Sequence, residues 1–382
     1  MKPHLQEAIR ILEQVAPNRP LDAAIRDYFR KNRTINPGLR ASISETLFAH
    51  SRWNGWIDPN LPIHGQLAAG MDFERRWQTE PETFTPAEIL SNAIPRWITA
   101  ELALPEQPPA TRVQFLQEWT RSLQTPAPLW IRAKSSSTSE IEALRYFYPG
   151  PFPNSFQYKG PDDLFRSAPF KEGSLEIQDI SSQVVGHVCA PNPGETWWDA
   201  CAGEGGKTLH LADLMQNKGL LWATDPAEWR LDNLKKRAGR AKVFNYRQRQ
   251  WKGEPPLPFK TPCDGILVDA PCSGVGTWQR NPHARWTTTK QDILELAEIQ
   301  KRLLKLVVDN LKPGGKLIYS VCTLTRAETT DVVEFVRNEI PRLGPLPLKL
   351  PIGLSTPTGG WLWPQTIHGN GMFLYAWRKL PE

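Results

Sequence analysis

Two cysteines and an aspartate stand where short apolar runs of the sequence end. Asp264–Gly274 reads Asp-Gly-Ile-Leu-Val-Asp-Ala-Pro-Cys-Ser-Gly, and Leu317–Cys322 reads Leu-Ile-Tyr-Ser-Val-Cys. Each run predicts a buried strand with a cysteine, Cys272 or Cys322, at or just beyond its end. Because the carboxyl ends of neighbouring parallel strands share one crevice, both thiols and Asp269 are expected to face one ligand. Thiols and a carboxylate in one crevice indicate covalent chemistry on an electrophilic carbon.

The elements around these residues alternate between strand and helix from about Ser174 onward. Strands are predicted at Thr196–Ala200, Leu220–Thr224, Lys242–Tyr246, Gly265–Val268, Lys316–Val321 and Met372–Arg378. Helices are predicted at Lys207–Met215, Glu228–Arg240, Gln291–Asn310 and Glu328–Asn338. This alternation predicts right-handed crossovers and an α/β fold with a mostly parallel sheet.

The N-terminal part of the chain has the apolar spacing of amphipathic helices. Its three stripes are Leu5, Ala8, Ile9, Leu12 and Val15; Leu21, Ala24, Ile25, Tyr28 and Phe29; and Leu39, Ile43 and Leu47. A strand at Leu129–Lys134 and a helix at Glu140–Tyr146 then predict a small α/β unit. We therefore expect an all-helical N-terminal domain at residues 1–125, a small α/β subdomain at 126–170 and the main α/β domain at 171–382.

A local concentration of positive charge indicates a polyanionic partner. The chain of 382 residues carries a net charge of +6, yet the window Arg230–Lys260 alone is more positive than that. Its ten basic residues, opposed by Asp232 and Glu254, are Arg230, Lys235, Lys236, Arg237, Arg240, Lys242, Arg247, Arg249, Lys252 and Lys260. Such a surface attracts nucleic acid, although a solvated helix face is the alternative. The same two interpretations apply to the N-terminal Arg26, Arg30, Lys31, Arg33 and Arg40.

Other classes of protein are disfavoured. No apolar stretch approaches the roughly 20 residues of a membrane span. Residues 1–7 also lack the apolar core of a signal peptide. We therefore expect a cytoplasmic protein without a membrane partner. The five cysteines form no Cys-x-x-Cys pair and no Cys/His cluster at zinc spacing, which predicts reduced thiols and no metal. Cys189 and Cys263 are interpreted as small buried apolar residues. The oligomeric state stays open.

A glycine-rich loop joins the first predicted strand of the main domain to its first helix. The loop reads Cys201-Ala202-Gly203-Glu204-Gly205-Gly206-Lys207-Thr208, and its spacing differs from that of a phosphate-binding loop. The next strand ends at Asp225, nineteen residues past Gly206, where a carboxylate is suited to bind ribose hydroxyls. Loop and carboxylate together fit a nucleoside-bearing cofactor without a phosphate clamp, and S-adenosylmethionine meets that description. Taken alone, Asp225 could equally be a helix N-cap.

Three motifs together resemble those of the RNA 5-methylcytosine methyltransferases. They are Asp199–Thr208, Asp269-Ala-Pro-Cys-Ser-Gly274 and Tyr319-Ser-Val-Cys-Thr323. Gln178–Gln183 is similar to the helix that precedes the cofactor strand in that family, and Arg280-Asn-Pro also resembles a family segment. The predicted helical N-terminal domain resembles the NusB-like extension found in the members of this family that act on bacterial ribosomal RNA. The resemblance implies a class I, Rossmann-like S-adenosylmethionine methyltransferase fold that spans about Leu129 to Arg378.

The sequence departs from the family pattern at several positions. The loop has Gly203-Glu204 where the family has Ala-Pro, which implies a less rigid loop. The acidic residue that often follows the third strand is not evident in Asn245–Gln250. Val321 stands where Thr is usual, and Gly369-Asn-Gly-Met-Phe replaces Gly-Asp-Gly-Phe-Phe. None of these departures changes a thiol.

The resemblance also implies roles for the residues. Cys322 would add to carbon 6 of a cytosine, Asp269 would hydrogen-bond or protonate ring N3, and Cys272 would assist proton removal from carbon 5 after methyl transfer. A free thiol has a pKa near 8.5, so the nucleophile needs a nearby cation, for which Lys207 is the candidate. The implied cofactor-binding residues are Cys201, Ala202, Gly203, Glu204, Gly205, Gly206, Lys207, Asp225, Arg230 and Asp269. The base must leave any stack to reach the crevice.

Several alternatives remain open at this point. The substrate is expected to be ribosomal RNA, with transfer RNA as the alternative. A DNA cytosine methyltransferase would not need a second thiol at position 322, and a small-molecule or protein methyltransferase would need neither thiol. A non-catalytic RNA-binding assembly factor with a vestigial site is the alternative outside enzymology.

Overall fold

The computed structural model describes residues 2–16, 19–105 and 109–381. The chain divides into two compact units, one of residues 1–126 and 277–290 and the other of residues 127–276 and 291–382. The main sheet contains nine strands, and a separate small sheet contains four. In the described ranges no helix combines the length and apolarity needed to cross a membrane.

The first unit is helical, as its apolar stripes predict. Its helices in chain order are α1 (Pro3–Leu12), α2 (Leu21–Lys31), α3 (Pro37–Trp53), α4 (Ile63–Thr79), α5 (Pro86–Asn92), α6 (Ile98–Glu101) and α7 (Pro109–Ser122). Every residue of the three predicted stripes lies in or against one apolar core between α1, α2, α3 and α4. Burial of those stripes is the main favourable contribution to the stability of such a bundle.

The arginines of these helices divide by environment. Arg26 and Arg30 form exposed ion pairs with aspartates of the same helix. Arg40 instead donates to the backbone carbonyls of Ile35 and Arg33 and stacks over the ring of Phe29. Arg40 therefore fixes the turn between α2 and α3, which is a structural role.

The small sheet opens the second unit. Its strands are β1 (Leu129–Ala133), β2 (Phe147–Pro149), β3 (Ser155–Tyr158) and β4 (Leu175–Ile177), in the order β2-β3-β1-β4 with antiparallel pairing. The helices beside it are α8 (Thr138–Glu142) and α9 (Ala168–Glu172). The predicted helix at Glu140–Tyr146 is wrong at its C-terminal end, because Tyr146 has a φ of 70° and begins the turn into β2.

The main sheet contains five parallel strands extended by antiparallel ones. The parallel strands are β5 (Thr196–Asp199), β6 (Leu220–Asp225), β7 (Tyr246–Gln250), β8 (Cys263–Asp269) and β9 (Leu311–Val321). The antiparallel additions are β10 (Leu343–Pro345), β11 (Leu354–Thr356), β12 (Gly359–Leu362) and β13 (Met372–Lys379). The order β11-β12-β13-β9-β8-β5-β6-β7 reverses direction between β5 and β8. Ligands of open α/β sheets bind at such a switch point.

Helices connect these strands. They are α10 (Ile180–Cys189), α11 (Gly206–Leu214), α12 (Glu228–Arg240), α13 (Ala284–Thr287), α14 (Lys290–Val307), α15 (Thr330–Glu339) and α16 (Pro364–Ile367). Close packing of β5 against β8 depends on Gly265, because a Cβ at that position would lie 2.3 Å from the indole of Trp197. The predicted α/β class with a mostly parallel sheet and a helical N-terminal region is confirmed.

The third parallel strand lies further along the chain than predicted. The sequence pattern placed it at Lys242–Tyr246, whereas β7 begins at Tyr246. Lys242 has a φ of 54°, and the Val243 amide donates to the Ala238 carbonyl, so these residues form the C-terminal turn of α12. Since β7 is an edge strand of polar residues, apolar periodicity could not locate it.

The segment Thr277–Lys290 belongs to the helical unit although its neighbours on both sides belong to the other. Arg285 in this segment is fully buried, and its guanidinium donates to the carbonyl oxygens of Ala93 and Leu123 at 2.9 and 3.0 Å. Trp286 donates its indole N–H to the Ser51 carbonyl. The region predicted as one domain from 171 to 382 is thus interrupted by fourteen residues of the helical unit.

Candidate active site

The two predicted thiols meet at the ends of neighbouring parallel strands. Strand β8 ends at Asp269, β9 ends at Val321, and Asp269 pairs in register with Ser320. Cys272 follows the first strand and Cys322 the second, and their sulfur atoms lie 3.3 Å apart. Both residues are partly exposed.

The environment of Cys272 favours its protonated form. The hydrogen bond with Cys322, burial, and the negative charges of Cys322 and Glu328 raise the pKa of Cys272 well above its usual value. The Cys272 thiol therefore stays protonated, and either sulfur can be the donor in the contact between them.

Asp269 and Lys207 form an ion pair beside the thiols. The Lys207 ammonium lies 2.7 Å from Oδ2 of Asp269, and the Ser320 hydroxyl donates to Oδ1 at 2.8 Å. Burial lowers the pKa of Lys207, but the ion pair, its hydrogen bond and the charge of Cys322 outweigh burial and raise it. Lys207 is therefore a cation within electrostatic reach of Cys322, and its predicted effect on that thiol stays a prediction.

The glycine-rich loop follows β5 and ends at the first residues of α11. Gly203 and Gly205 have φ values of 53° and 87°, the left-handed region that glycine adopts readily. A Cβ at Gly205 would lie 2.7 Å from Cγ of Leu234, whereas a Cβ at Gly203 would meet no atom within 4 Å. The loop is thus packed on one side and faces open space on the other, between Cys201 and Gly206.

Two polar side chains outside the loop hold its carbonyl groups. Arg237 of α12 donates to the Glu204 carbonyl at 3.0 Å and pairs with the buried carboxylate of Glu176 at 2.9 Å. Gln178 donates to the Gly206 carbonyl at 3.2 Å. The Arg237 contact restrains the loop at Glu204, one of the two positions where the family pattern has Ala-Pro, and the Gln178 contact restrains it at Gly206.

Asp225 occupies the end of β6 and serves two backbone groups. Its Oδ2 accepts from the Gly203 amide at 3.0 Å, and its Oδ1 accepts from the Ala227 amide at 2.8 Å. It therefore both anchors the loop and orders the start of α12. Arg230 approaches the same carboxylate at 3.8 Å with a half-exposed side chain that also stacks over Trp229.

The remaining cysteines differ from the central pair. Burial, followed by the charges of Asp199, Asp269 and Asp225, raises the pKa of Cys201 well above its usual value, so it stays a thiol beside Ala202 in the loop. Cys189 and Cys263 are fully buried, and burial raises the pKa of Cys263 to about 12. Their predicted role as small apolar residues agrees with this burial.

Sequence reasoning missed three polar residues of this region, of which Asp199 and Glu328 are buried and Arg237 is partly exposed. Burial raises the pKa of Asp199 to about 7, and the carboxylate accepts from the Thr208 hydroxyl at 2.7 Å. Glu328 receives hydrogen bonds from segments that carry both thiols, and Arg237 restrains the cofactor loop. Arg237 was counted as part of a charged surface, and its partner Glu176 lies 61 residues away in sequence.

The sequence of residues 187–378 matches the model of a protein family described as 16S rRNA methyltransferase RsmB/F. That match covers half of the chain. The chain belongs to this family. Membership in the bacterial ribosomal-RNA group, predicted from the motifs, is therefore confirmed, and both thiol motifs and the glycine-rich loop lie inside the matched range.

Named relatives of this RsmB/F-family chain are ribosomal RNA methyltransferases. It is 37% identical over 222 residues to a Synechocystis sp. protein named "Probable ribosomal RNA small subunit methyltransferase B", covering 55% of this chain and 49% of that one. It is 31% identical over 281 residues to the "Ribosomal RNA small subunit methyltransferase B" of Salmonella typhi, covering 68% and 62%. The chain thus spans about half to three fifths of the length of these relatives.

Solved structures share the architecture of the RsmB/F-family chain. The crystal structure of PH0851 superposes with a TM-score of 0.79 at 23% identity and covers 99% of both chains. A methyltransferase homologue from Pyrococcus horikoshii superposes with a TM-score of 0.62 at 27% identity, covering 70% of this chain and 92% of that one. The first likeness shows that the fold extends over nearly the whole chain.

Proposed function

We propose that this protein transfers a methyl group from S-adenosylmethionine to carbon 5 of a cytosine in RNA. The observation that carries the proposal is the 3.3 Å contact between Cys272 and Cys322 beside the glycine-rich loop. A methyltransferase that acts on a nucleophilic nitrogen or oxygen atom needs no thiol. Carbon 5 of cytosine is a poor nucleophile, and a thiol that adds to carbon 6 activates it.

The loop and its neighbours fit S-adenosylmethionine. The side of Gly203 that lacks neighbouring atoms leaves room for a ligand against the backbone, and the amides at the start of α11 have no partners within the helix. A carboxylate at the end of the second parallel strand suits ribose hydroxyls, and Asp225 at the end of that strand supports the proposal. The residues that would hold the cofactor are Cys201–Lys207, Asp225, Arg230 and Asp269. When bound, S-adenosylmethionine supplies the methyl group.

Cys322 is proposed as the nucleophile. Its thiolate forms a bond to carbon 6, and the displaced electron pair of the ring double bond makes carbon 5 nucleophilic. Asp269 delivers a proton to ring N3 as negative charge develops there, and it takes the proton back when the ring double bond re-forms. The Lys207 ammonium, 2.7 Å from Oδ2 of Asp269, stabilises the carboxylate that the proton transfer leaves. Ser320 keeps the Asp269 carboxylate at the strand end.

Cys272 is proposed as the base for the second half of the reaction. Its hydrogen bond to Cys322 and the negative charge of Cys322 both contribute to the raised pKa of Cys272. Both contributions vanish once Cys322 becomes a thioether, so the pKa of Cys272 falls and its proton is lost to solvent. The Cys272 thiolate then removes the proton from carbon 5, the ring double bond re-forms, and the bond between Cys322 and carbon 6 breaks.

The RNA substrate is proposed to be ribosomal, because the matched family and the named relatives carry that description. Exposed basic residues on α12 and just after it, Lys235, Lys236 and Lys242, supply positive charge for a phosphate backbone. Arg237 and Arg240 are excluded from that surface because both pair with the buried Glu176.

Bisulfite sequencing of ribosomal and transfer RNA from a strain that lacks the gene tests this proposal. Loss of one ribosomal 5-methylcytosine, restored by the wild-type gene and not by a Cys322→Ala version, is the expected result. Loss of a transfer-RNA cytosine mark instead would reassign the substrate, and an unchanged pattern would refute the proposed reaction.

A non-catalytic RNA-binding assembly factor is the second candidate, favoured by the Gly203-Glu204 departure in the loop. Calorimetry with S-adenosylmethionine separates the two. Saturable binding supports the enzyme, whereas a purified protein that binds RNA and shows no cofactor binding supports the assembly factor.

A further inference from the structure

Glu328 is a fully buried carboxylate that follows the nucleophile segment by six residues. Among the residues that the structure describes, no lysine or arginine forms an ion pair with it. A buried carboxylate without a cation is stable only when several hydrogen bonds replace its hydration. The donors around Glu328 therefore show what it holds in place.

The first group of donors comes from the segment that carries Cys272. The Ser273 amide donates to Oε1 of Glu328 at 2.8 Å, and the Ser273 hydroxyl donates to Oε2. Gln300 of α14 donates one amide hydrogen to the same Oε1 at 3.1 Å and the other to the Pro271 carbonyl at 2.9 Å. Both residues that flank Cys272 are thus attached to Glu328 directly or through Gln300.

The second group comes from the segment that carries Cys322. The hydroxyls of Thr323 and Thr325 donate to Oε2 of Glu328 at 3.1 and 2.8 Å. Tyr319, three residues before Cys322, has its hydroxyl 2.8 Å from Oε1 of Gln300 and 2.7 Å from the Glu328 carbonyl. One carboxylate therefore connects both thiol-bearing segments, which lie 50 residues apart in sequence.

We propose that Glu328 is a positioning residue that keeps the Cys272 and Cys322 sulfur atoms in contact during the reaction. This inference rests on the proposed function of the two thiols. Hydrogen bonds to a carboxylate are shorter and stronger than those between neutral groups, and several of them in a buried site fix both position and orientation. Without the carboxylate, Ser273, Thr323 and Thr325 lose their shared acceptor. The direct hydrogen bond between the Ser273 and Thr323 hydroxyls, at 2.9 Å, then remains without the charged group that orients both of them.

Glu328 also acts on Cys272 through its charge. It is one of the causes that raise the pKa of Cys272, after the Cys322 hydrogen bond, burial and the Cys322 charge. A residue that only stabilises the fold would not change the ionisation of this thiol. The ionisation of Cys272 is therefore a readout that separates positioning from general stability.

The test compares Glu328→Gln with wild type and with Glu334→Gln, an exposed carboxylate on α15. We expect Glu328→Gln to lower the rate of RNA methylation at least 100-fold and to leave the dissociation constant for S-adenosylmethionine within threefold. In a Cys322→Ala background, Glu328→Gln should also shift the pH midpoint of Cys272 alkylation by iodoacetamide downward. Glu334→Gln should match wild type in all three measurements.

A Glu328→Gln protein with the wild-type rate and an unshifted midpoint would overturn the inference. Equal losses of rate and cofactor affinity, with no shift, would also overturn it and leave only a structural role. If Glu328→Gln does not fold, Ser273→Ala and Thr325→Val each remove one donor and should each lower the rate; wild-type rates in both would reject the inference. Absence of methylation by wild type would refute the proposed function instead, and the alkylation midpoint would still test Glu328.

Discussion

The sulfur atoms of Cys272 and Cys322 lie 3.3 Å apart, and this contact is the largest cause of the raised pKa of Cys272. The ionisation of one thiol therefore depends on the state of the other. Coupled groups of this kind titrate as a pair. Removing one partner exposes the coupling directly.

Cys322→Ala is expected to shift the alkylation of Cys272 to lower pH, because it removes both the hydrogen bond and the negative charge that raise the pKa. A shift of about one pH unit or more corresponds to roughly 1.4 kcal/mol of lost interaction. The rate of iodoacetamide labelling, followed by peptide mass spectrometry from pH 6 to 11, measures it. An unchanged midpoint would show that the thiols do not interact in solution.

Cys272→Ala is expected to accumulate a covalent protein–RNA adduct, since the base that permits release of Cys322 is missing. The adduct should appear as a shifted band that survives denaturant, and only when RNA and S-adenosylmethionine are both present. Cys322→Ala and the buried control Cys263→Ala should show no such band. A band with Cys322→Ala would exchange the roles proposed for the two thiols.

Arg237→Met is expected to weaken S-adenosylmethionine binding about tenfold, or about 1.4 kcal/mol, because the Glu204 carbonyl loses its donor and the loop gains freedom. Calorimetry measures the dissociation constant. Lys235 lies on the exposed face of the same helix, so Lys235→Met is the matched control. Equal affinities for the two variants would mean that the loop is held without Arg237.

Lys235→Gln combined with Lys236→Gln is expected to weaken RNA binding and flatten its salt dependence. Two lost phosphate contacts on single-stranded RNA reduce the slope of log K against log salt by about 1.4. Filter binding between 50 and 300 mM salt measures the slope. The control pair, Lys305→Gln with Lys349→Gln, removes the same charge from other exposed positions. If both pairs give the same slope, the lysines of α12 do not contact RNA and the helix has an ordinary solvent-exposed face.

Acidification is expected to destabilise the protein through His210. Burial, followed by the positive charges of Arg132, His187 and Lys207, holds the pKa of His210 well below its usual value. The unfolded chain therefore takes up a proton below about pH 6.5 that the folded chain does not, and the free energy of unfolding falls as pH decreases. Above about pH 7 the His210 imidazole is neutral in both the folded and the unfolded chain, so its contribution to the free energy of unfolding no longer changes with pH.

Urea unfolding at pH 7.5 and 5.5 measures this effect. Wild type should lose about 1 kcal/mol more between the two values than His210→Gln, which cannot titrate. His64→Gln, at an exposed position of α4, should lose as much as wild type. Identical losses in wild type and His210→Gln would exclude His210 as the cause.

Local patterns in the sequence identified much of this fold because they carry physical constraints. Apolar runs located β5, β6, β8, β9 and β13, and the rule that the carboxyl ends of parallel strands share one edge predicts that Cys272 and Cys322 lie close together. The polar edge strand β7 could not be found in this way. Its position depends on the turn at Lys242, which only the backbone shows.

Residues whose partners are distant in sequence escaped sequence reasoning. Glu328 accepts a hydrogen bond from Ser273, which lies 55 residues earlier in the sequence. Arg237 donates to Glu176, which lies 61 residues earlier. The available sequence signal for Glu328 was its spacing. A carboxylate that closely follows two threonines, Thr323 and Thr325, can accept hydrogen bonds from both hydroxyls. For Arg237 the sequence offered only a count of charges, which cannot distinguish an internal ion pair from a surface.

The membership of Thr277–Lys290 in the helical unit has a consequence for dissecting this protein. Three peptide links, after residues 126, 276 and 290, connect the two units, so one proteolytic cut cannot release either of them. A shortened chain that starts at residue 127 would retain Arg285 without the Ala93 and Leu123 carbonyls that accept from its guanidinium. The segment that begins five residues after Cys272 would then carry a guanidinium that has lost these two acceptors, and a soluble minimal catalytic fragment would need that segment redesigned together with the cut.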